Sequence, residues 1–272
     1  MNVTGRINQV KQPKGGYIKP SQFLVKELDD SNVLSETENV HASVIGMVVD
    51  YLTRFMMGTE ITKAFEISCM GAACAVKLGN TGAVKEAKEY LAEIKGLDDK
   101  SIINACKMVT FDVWYRNPMG ALMAKTASET TADKDTVKNI KIMVERSIAF
   151  WKEYGPITKD GFTFEDKGYT ETVNSGDGDY LTEDTLWDFK VSKSKPTNKH
   201  TLQLLMYWIM GQHSGKAEFK NITKLGIFNP RLNTIYTIQI ADVPSEVIKE
   251  VEDDVICCLL YTSPSPRDAH ES

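Results

Sequence analysis

Gly176-Asp177-Gly178-Asp179-Tyr180-Leu181-Thr182-Glu183-Asp184-Thr185-Leu186-Trp187-Asp188-Phe189-Lys190-Val191 is the stretch on which the fold of this chain turns. Aromatic and aliphatic residues alternate with polar ones on either side of residues 182–185, the pattern of two strands joined by a tight turn. With the turn there, Leu181 faces Leu186, Asp179 faces Asp188 and Asp177 faces Lys190. Directly opposed residues in a hairpin lie about 4.5–5.5 Å apart, where like charges repel. Two facing carboxylates are therefore costly unless a cation sits between them. Side chains alternate along a strand, so Asp188 and Lys190 also share a face. Two carboxylates and an ammonium thus converge on local pattern alone.

A cluster of this kind suits a hard, oxygen-loving ion. Mg²⁺ takes one or two carboxylates and fills its octahedron with water and phosphate oxygens. Asp179 and Asp188 are the expected ligands of Mg²⁺ (or Mn²⁺), and Lys190 is placed to position or deprotonate an attacking water. The alternative is a solvated hairpin carrying ordinary surface charges, since D-x-K alone is expected roughly once in a chain of this composition.

Outward from the hairpin, residues 162–175 also read as strand. Residues 199–212 form a helix that is apolar nearly all round, and 222–228 and 234–240 are strands about the turn Asn229-Pro230-Arg231. Residues 245–255 make a final helix. Upstream the chain is helical. Val44, Ile45, Val48, Val49, Leu52, Phe55 and Met56 lay one apolar stripe along 41–57, with His41 at the helix end. Residues 62–75 read as helix or short strand, and further helices are expected over 83–95, 101–115 and 136–154, the last stopped by Gly155-Pro156. Residues 1–40 read as a polar lead-in with a short helix near 21–28. The sum is an α/β chain, a small mixed sheet flanked by helices.

These residues resemble the PD-(D/E)XK nuclease superfamily, specifically its RecB-like branch. The family pattern is G-x-x-D on one strand, D/E-x-K on the next, then a helix with Gln and a following Tyr. Here they are Gly176-x-x-Asp179, Asp188-Phe189-Lys190, and Gln203 with Tyr207. The resemblance covers about 165–240. It implies a restriction-endonuclease-like core over 41–256, with a helical insertion at about 83–154. It also implies a Mg²⁺- or Mn²⁺-dependent hydrolase of DNA phosphodiester bonds, exo- or endonucleolytic. In that reading Asp179 and Asp188 hold the metal, Lys190 is the catalytic lysine and Gln203 supports the site. Such chemistry serves phage recombination, bacterial host repair and defence. The family often has G-x-x-x-H upstream; Gly46-x-x-x-Asp50 stands there, which makes Asp50 a further candidate ligand. The rival reading is a non-catalytic protein that keeps the nuclease fold to bind DNA or a partner.

Gln203 carries an argument of its own, as the only strongly polar side chain between Leu202 and Met210. A buried amide without partners costs about 1–3 kcal/mol, so it ties helix to strand, holds the site, or does both. Tyr207, one turn later, reads first as structural and second as a DNA contact.

The net charge of −5 argues against a protein that coats nucleic acid indiscriminately. Residues 190–224, however, hold seven lysines against Glu218 alone, a local +6 that leaves −11 on the rest. Lys193, Lys195 and Lys199 flank the expected site, where phosphate contacts are wanted. No apolar run reaches the roughly 18 residues of a membrane span. Five unevenly placed cysteines are not a disulfide framework and suggest a reducing cytoplasm. The first residues show no secretory signal. Asp177-Gly178-Asp179 lacks the glycine of a calcium loop, and Cys69 with Cys74 has no second pair for zinc. The final residues, 257–272, resemble the translated read-through of a synthetic sequencing adapter and are expected to lie outside the fold. Some RecB-like nucleases hold an iron–sulfur cluster through C-terminal cysteines, which leaves the role of Cys257 and Cys258 open.

Overall fold

The computed structural model describes residues 1–164, 170 and 172–257. Cys258 and the rest of the suspected tail lie outside them. In chain order the elements are α1 (Val3–Gln9), β1 (Leu24–Glu27), α2 (Ala42–Met56), α3 (Ile61–Ala64), α4 (Glu66–Lys77) and α5 (Ala83–Ala92). Then come α6 (Asp99–Val109), α7 (Asp112–Arg116), α8 (Pro118–Ala121), α9 (Lys134–Tyr154), β2 (Lys159–Phe164), β3 (Gly176–Leu181) and β4 (Thr185–Phe189). The chain continues through α10 (Asn198–His213), β5 (Lys224–Asn229), β6 (Thr234–Gln239) and α11 (Ser245–Glu250), which runs into a wider turn over Val251–Ile256.

The strands form one six-stranded mixed sheet in the order β1-β6-β5-β4-β3-β2. Only β4 and β5 run parallel, because α10 carries the chain across between them; every other pair is antiparallel. Alternation along the strands feeds two cores. Tyr180, Trp187, Phe189, Phe228 and Ile235 face the helices α2–α9, where Phe150 stacks on Phe228 at 4.0 Å. Leu181, Leu186, Leu225, Ile227 and Ile238 face α10, which is buried on most sides between the sheet, α1 and the C-terminal turn.

Three expectations need correction. Residues 1–40 are not a polar lead-in: Val3, Ile7, Ile18 and Phe23 are buried with α10, and β1 is the sheet's edge strand, paired with β6. The helix expected near 21–28 is a single turn over Pro20–Gln22 leading into β1. All four residues of β1 are exposed, so no apolar alternation announced it; the open edge of β6 selects the strand. The helices expected as an insertion over about 83–154 share one core with α2, which packs on α6 and α9. The helix expected over 101–115 also breaks at Thr110 and Phe111 into α6 and α7. There buried Asp112 accepts from Tyr51 at 2.6 Å and from Ser68.

Candidate active site

The hairpin forms with the expected turn, pairing Leu181 with Leu186 and Tyr180 with Trp187. Beyond that the strands part company, and the Asp177–Lys190 pairing is not made. Asp177 pairs instead with Thr163 of β2, while the Lys190 amide donates to the Phe228 carbonyl at 3.0 Å. Asp179 bridges the opening, its Oδ2 accepting from the Phe189 amide at 2.7 Å. This charge-assisted bond holds the carboxylate against β4 beside Asp188.

Two glycines let β3 lie this close to its neighbours. A Cβ on Gly178 would fall 1.9 Å from the Phe162 ring, its partner in β2, and one on Gly176 would meet Tyr207 at 2.8 Å. The Gly-Asp-Gly-Asp run thus seats aromatic rings where side chains would stand, and leaves the two aspartates to face outward and across.

Asp188 is only 3% exposed. Its Oδ1 receives the Lys190 ammonium at 2.9 Å, and its Oδ2 is buried with no hydrogen-bond partner. A buried carboxylate oxygen left unsatisfied carries a desolvation penalty of about 1–3 kcal/mol or more. Beside it, burial and the charges of Asp188 and Asp50, only partly offset by Lys190, push the Asp179 carboxyl up to about 7. Burial works against the charge on Lys190, but Asp188 and Asp179 outweigh it and hold the ammonium above its ordinary range. Lys190 is therefore a fixed cation here, suited to orienting a water or phosphate oxygen rather than removing a proton.

Asp179 opens onto a cleft of about 680 Å³ between β2–β3, α10 and the helices α2–α4 and α7. Its walls include Asp50, Glu66, Asp160, Asp177 and Asp179 against Arg54, Lys63 and Arg116, an acidic excess. Asp50 does stand in this cleft, on the face of α2 away from the apolar stripe. Its Oδ1 is already engaged by Arg54 Nε at 3.1 Å and by the Tyr180 hydroxyl. Arg54 also pairs with Asp160 and lies over the Tyr180 ring at 4.7 Å.

Gln203 is partly exposed and lines the cleft rather than lying buried. Its amide donates to the Tyr207 hydroxyl at 3.1 Å, which donates in turn to the Asp177 carbonyl at 2.6 Å. The pair ties α10 to β3. Tyr207 is buried with its hydroxyl committed, as a strut between α10 and β3. Lys193, Lys195 and Lys199 are exposed around the start of α10. Lys199 reaches Asn8 Oδ1 at 2.9 Å and Lys193 the Glu36 carbonyl at 3.3 Å. The seven-lysine strip is not one patch. Lys216, Lys220 and Lys224 lie beyond the far end of the 16-residue α10, about 24 Å along it. Lys216 bonds the Thr163 carbonyl, and Lys224 pairs with Asp184.

Arg54, Asp160 and Tyr180 went unread in the sequence. Asp50-x-x-x-Arg54 is an i, i+4 pair visible in the sequence, but Asp160 reaches it only through the pairing of β2 with β3, opposite Tyr180. His200 also belongs here: it follows Thr197 in a capping turn, and burial and the Lys190 charge lower its pKa.

Comparison with protein-family models, with curated proteins and with solved structures found no match. Among the described residues no group of three or more His, Cys, Asp or Glu side chains is arranged to hold a metal ion. The two-carboxylate donor set nonetheless fits a hard divalent cation. Asp188 Oδ2 lacks a partner, Asp179 resists ionising where it stands, and the cleft carries excess negative charge. A cation that takes most of its remaining ligands from water and substrate needs no more protein carboxylates than these. Among the described residues no helix is long and apolar enough to cross a membrane.

Proposed function

We propose that the chain is a metal-dependent nuclease of the PD-(D/E)XK, RecB-like kind, with a restriction-endonuclease-like core, hydrolysing DNA phosphodiester bonds. The observation that carries this reading is the buried Asp188, with one oxygen on Lys190 and the other unpartnered, beside an Asp179 fastened to the same strand. Asp188 Oδ2 and the Asp179 carboxylate would hold Mg²⁺ or Mn²⁺, with Asp50 as a further candidate once its bonds to Arg54 and Tyr180 loosen. Bound there, the ion supplies charge neutralisation at the phosphate and a more acidic water. The protein's own part is positional. The Phe189 amide fixes Asp179, and Asp188 fixes the Lys190 ammonium, whose free hydrogens point a water or a phosphate oxygen toward the reacting phosphorus. Gln203 and Tyr207 brace α10 against β3 so that these groups keep their spacing. Lys193, Lys195 and Lys199 offer phosphate contacts at the approach.

Labelled linear and circular DNA, single- and double-stranded, incubated with Mg²⁺, Mn²⁺ or EDTA, tests the proposal. Cutting by the wild type that needs metal and disappears in Lys190→Ala and Asp188→Ala is the expected result. Folded wild-type protein that binds DNA and leaves it intact would instead favour the non-catalytic reading.

A further inference from the structure

Among the described residues, three of the five most exposed large apolar side chains fall within five positions: Met119 at 81%, Leu122 at 69% and Met123 at 91%. Isolated exposed apolar residues are ordinary on a protein surface; a cluster asks for an occupant. Their i, i+3, i+4 spacing makes them one ridge along α8 and the turn that follows it. The ridge stands on a fixed base. Asn117 caps α8 by accepting from the Gly120 amide at 3.1 Å, Pro118 opens the helix, and Ala121 and Ala127 are buried. None of the three side chains lines the Asp179 cleft.

A second cavity, of about 630 Å³, begins where the ridge ends. Ala124 and Lys125 line it directly after Met123, and Val40, Val44, Met47, Val109 and Val113 give it apolar walls between the start of α2, the end of α6 and α7. Its acids are satisfied from within the chain. Asp112 accepts from Tyr51 and Ser68 and pairs with Arg116, Glu38 pairs with Arg231, and Glu129 accepts from the Thr126 amide at 2.9 Å and hydroxyl at 2.6 Å. The cavity has apolar walls without apolar contents, and the ridge has apolar side chains without an enclosure. The anchored base keeps the ridge out of its own chain's cavity, which none of its three residues lines. A ridge that fits a distant hole builds open chains of molecules; a ridge beside the hole lets two copies exchange ridges about one two-fold axis and close. Lys125 and Glu129 are both exposed at the cavity edge, and their opposite charges are self-complementary across such an axis. The sixteen residues that line the cavity and the three of the ridge bring nineteen to each side, close to the roughly 20–30 a side of a stable interface.

We propose that the chain pairs with a second copy of itself, each copy inserting Met119, Leu122 and Met123 into the other's cavity. The proposal is independent of the nuclease reading. Sedimentation velocity across the micromolar range compares the wild type with a ridge variant, Met119→Ser, Leu122→Ser, Met123→Ser, and a cavity variant, Met47→Glu. The ridge residues are exposed and Met47 is half-buried on the cavity wall, so both variants should fold, and melting curves check that they do. The wild type should dimerise, and each variant should weaken the dimer at least tenfold. Mixed together, the two variants recover one of the two ridge-in-cavity contacts, because the intact ridge of one meets the intact cavity of the other. The mixture should therefore pair more tightly than either variant alone. Lys125→Glu, a surface change, should weaken the wild-type dimer severalfold by facing the partner's Glu129, and it takes the place of Met47→Glu if that variant does not fold. A wild type that stays monomeric overturns the proposal. So does a dimer that the ridge variant leaves intact, which would put the contact elsewhere. A dimer lost in the ridge variant but untouched by Met47→Glu would set ridge against ridge and also overturn it, as would a mixture that pairs no better than its parts.

Discussion

Replacing Asp179 with Asn should make the metal-free protein more stable at pH 8. Asn keeps an oxygen to accept from the Phe189 amide but removes a charge that its surroundings oppose. Burial, Asp188 and Asp50 raise the carboxyl from 3.8 to about 7. At about 1.36 kcal/mol per pKa unit, ionising it in the folded state costs on the order of 4 kcal/mol at most. Partial solvent contact at the cleft reduces this to about 1–3 kcal/mol. The sign follows from linkage. A carboxyl whose folded pKa is raised retains a proton that the unfolded chain releases, so its contribution to stability is full below about pH 4, falls between 4 and 7, and is level above. The advantage of Asp179→Asn should therefore be small near pH 4 and greatest at pH 8. Thermal denaturation in EDTA at both pH values measures it, at roughly 2–4 °C per kcal/mol for a chain of this size. Adding Mg²⁺ at pH 8 should stabilise the wild type and do much less for the variant. A variant no more stable than the wild type at pH 8, or one whose gain ignores pH, would refute the claim that this carboxylate is held uncompensated.

Two further predictions follow from packing and pairing. Gly178→Ala should destabilise by about 1–3 kcal/mol through overpacking against Phe162, whereas Gly46→Ala, whose Cβ would sit 3.7 Å from Val191, should be neutral or slightly stabilising; urea denaturation separates the two. Arg146→Ala should cost about 3–5 kcal/mol, because this buried guanidinium binds Asp30 twice, at 2.7 and 2.9 Å, and the carbonyls of Asn32, Pro230 and Arg231. Its bonds hold the Asp30 carboxyl far below the usual carboxylate range, so this stability is present at neutral pH and is lost in acid. Acid denaturation of the variant should accordingly show a weaker pH dependence than that of the wild type.

Much of the fold was legible because its signals are local. The amphipathic stripe of α2, the stop of α9 and the all-apolar α10 each follow from residues within a few turns of one another. So does the hairpin turn, which sets Tyr180 against Trp187 and so starts Asp179 and Asp188 out side by side. What escaped reading was non-local. The exposed residues of β1 become a strand only because β6 presents an unpaired edge some 200 residues later. Glu38 looks like a surface acid until Arg231 meets it at 2.8 Å in the interior. The lysine strip looked like one patch because sequence distance hides the length of the helix between its halves.

The sequence by itself determined the juxtaposition of two carboxylates and a lysine, since strand alternation and a short turn leave their side chains no other side to occupy. The tertiary structure decided their electrostatic state. Burial beneath α10 leaves Asp188 with an unpartnered oxygen, and the approach of α2 adds the charge of Asp50 to the pair. It also decided that Tyr115 and Arg116 of α7 should line the same cleft. Desolvation and long-range charge depend on what the whole chain packs around a site, and no local pattern of residues contains that information.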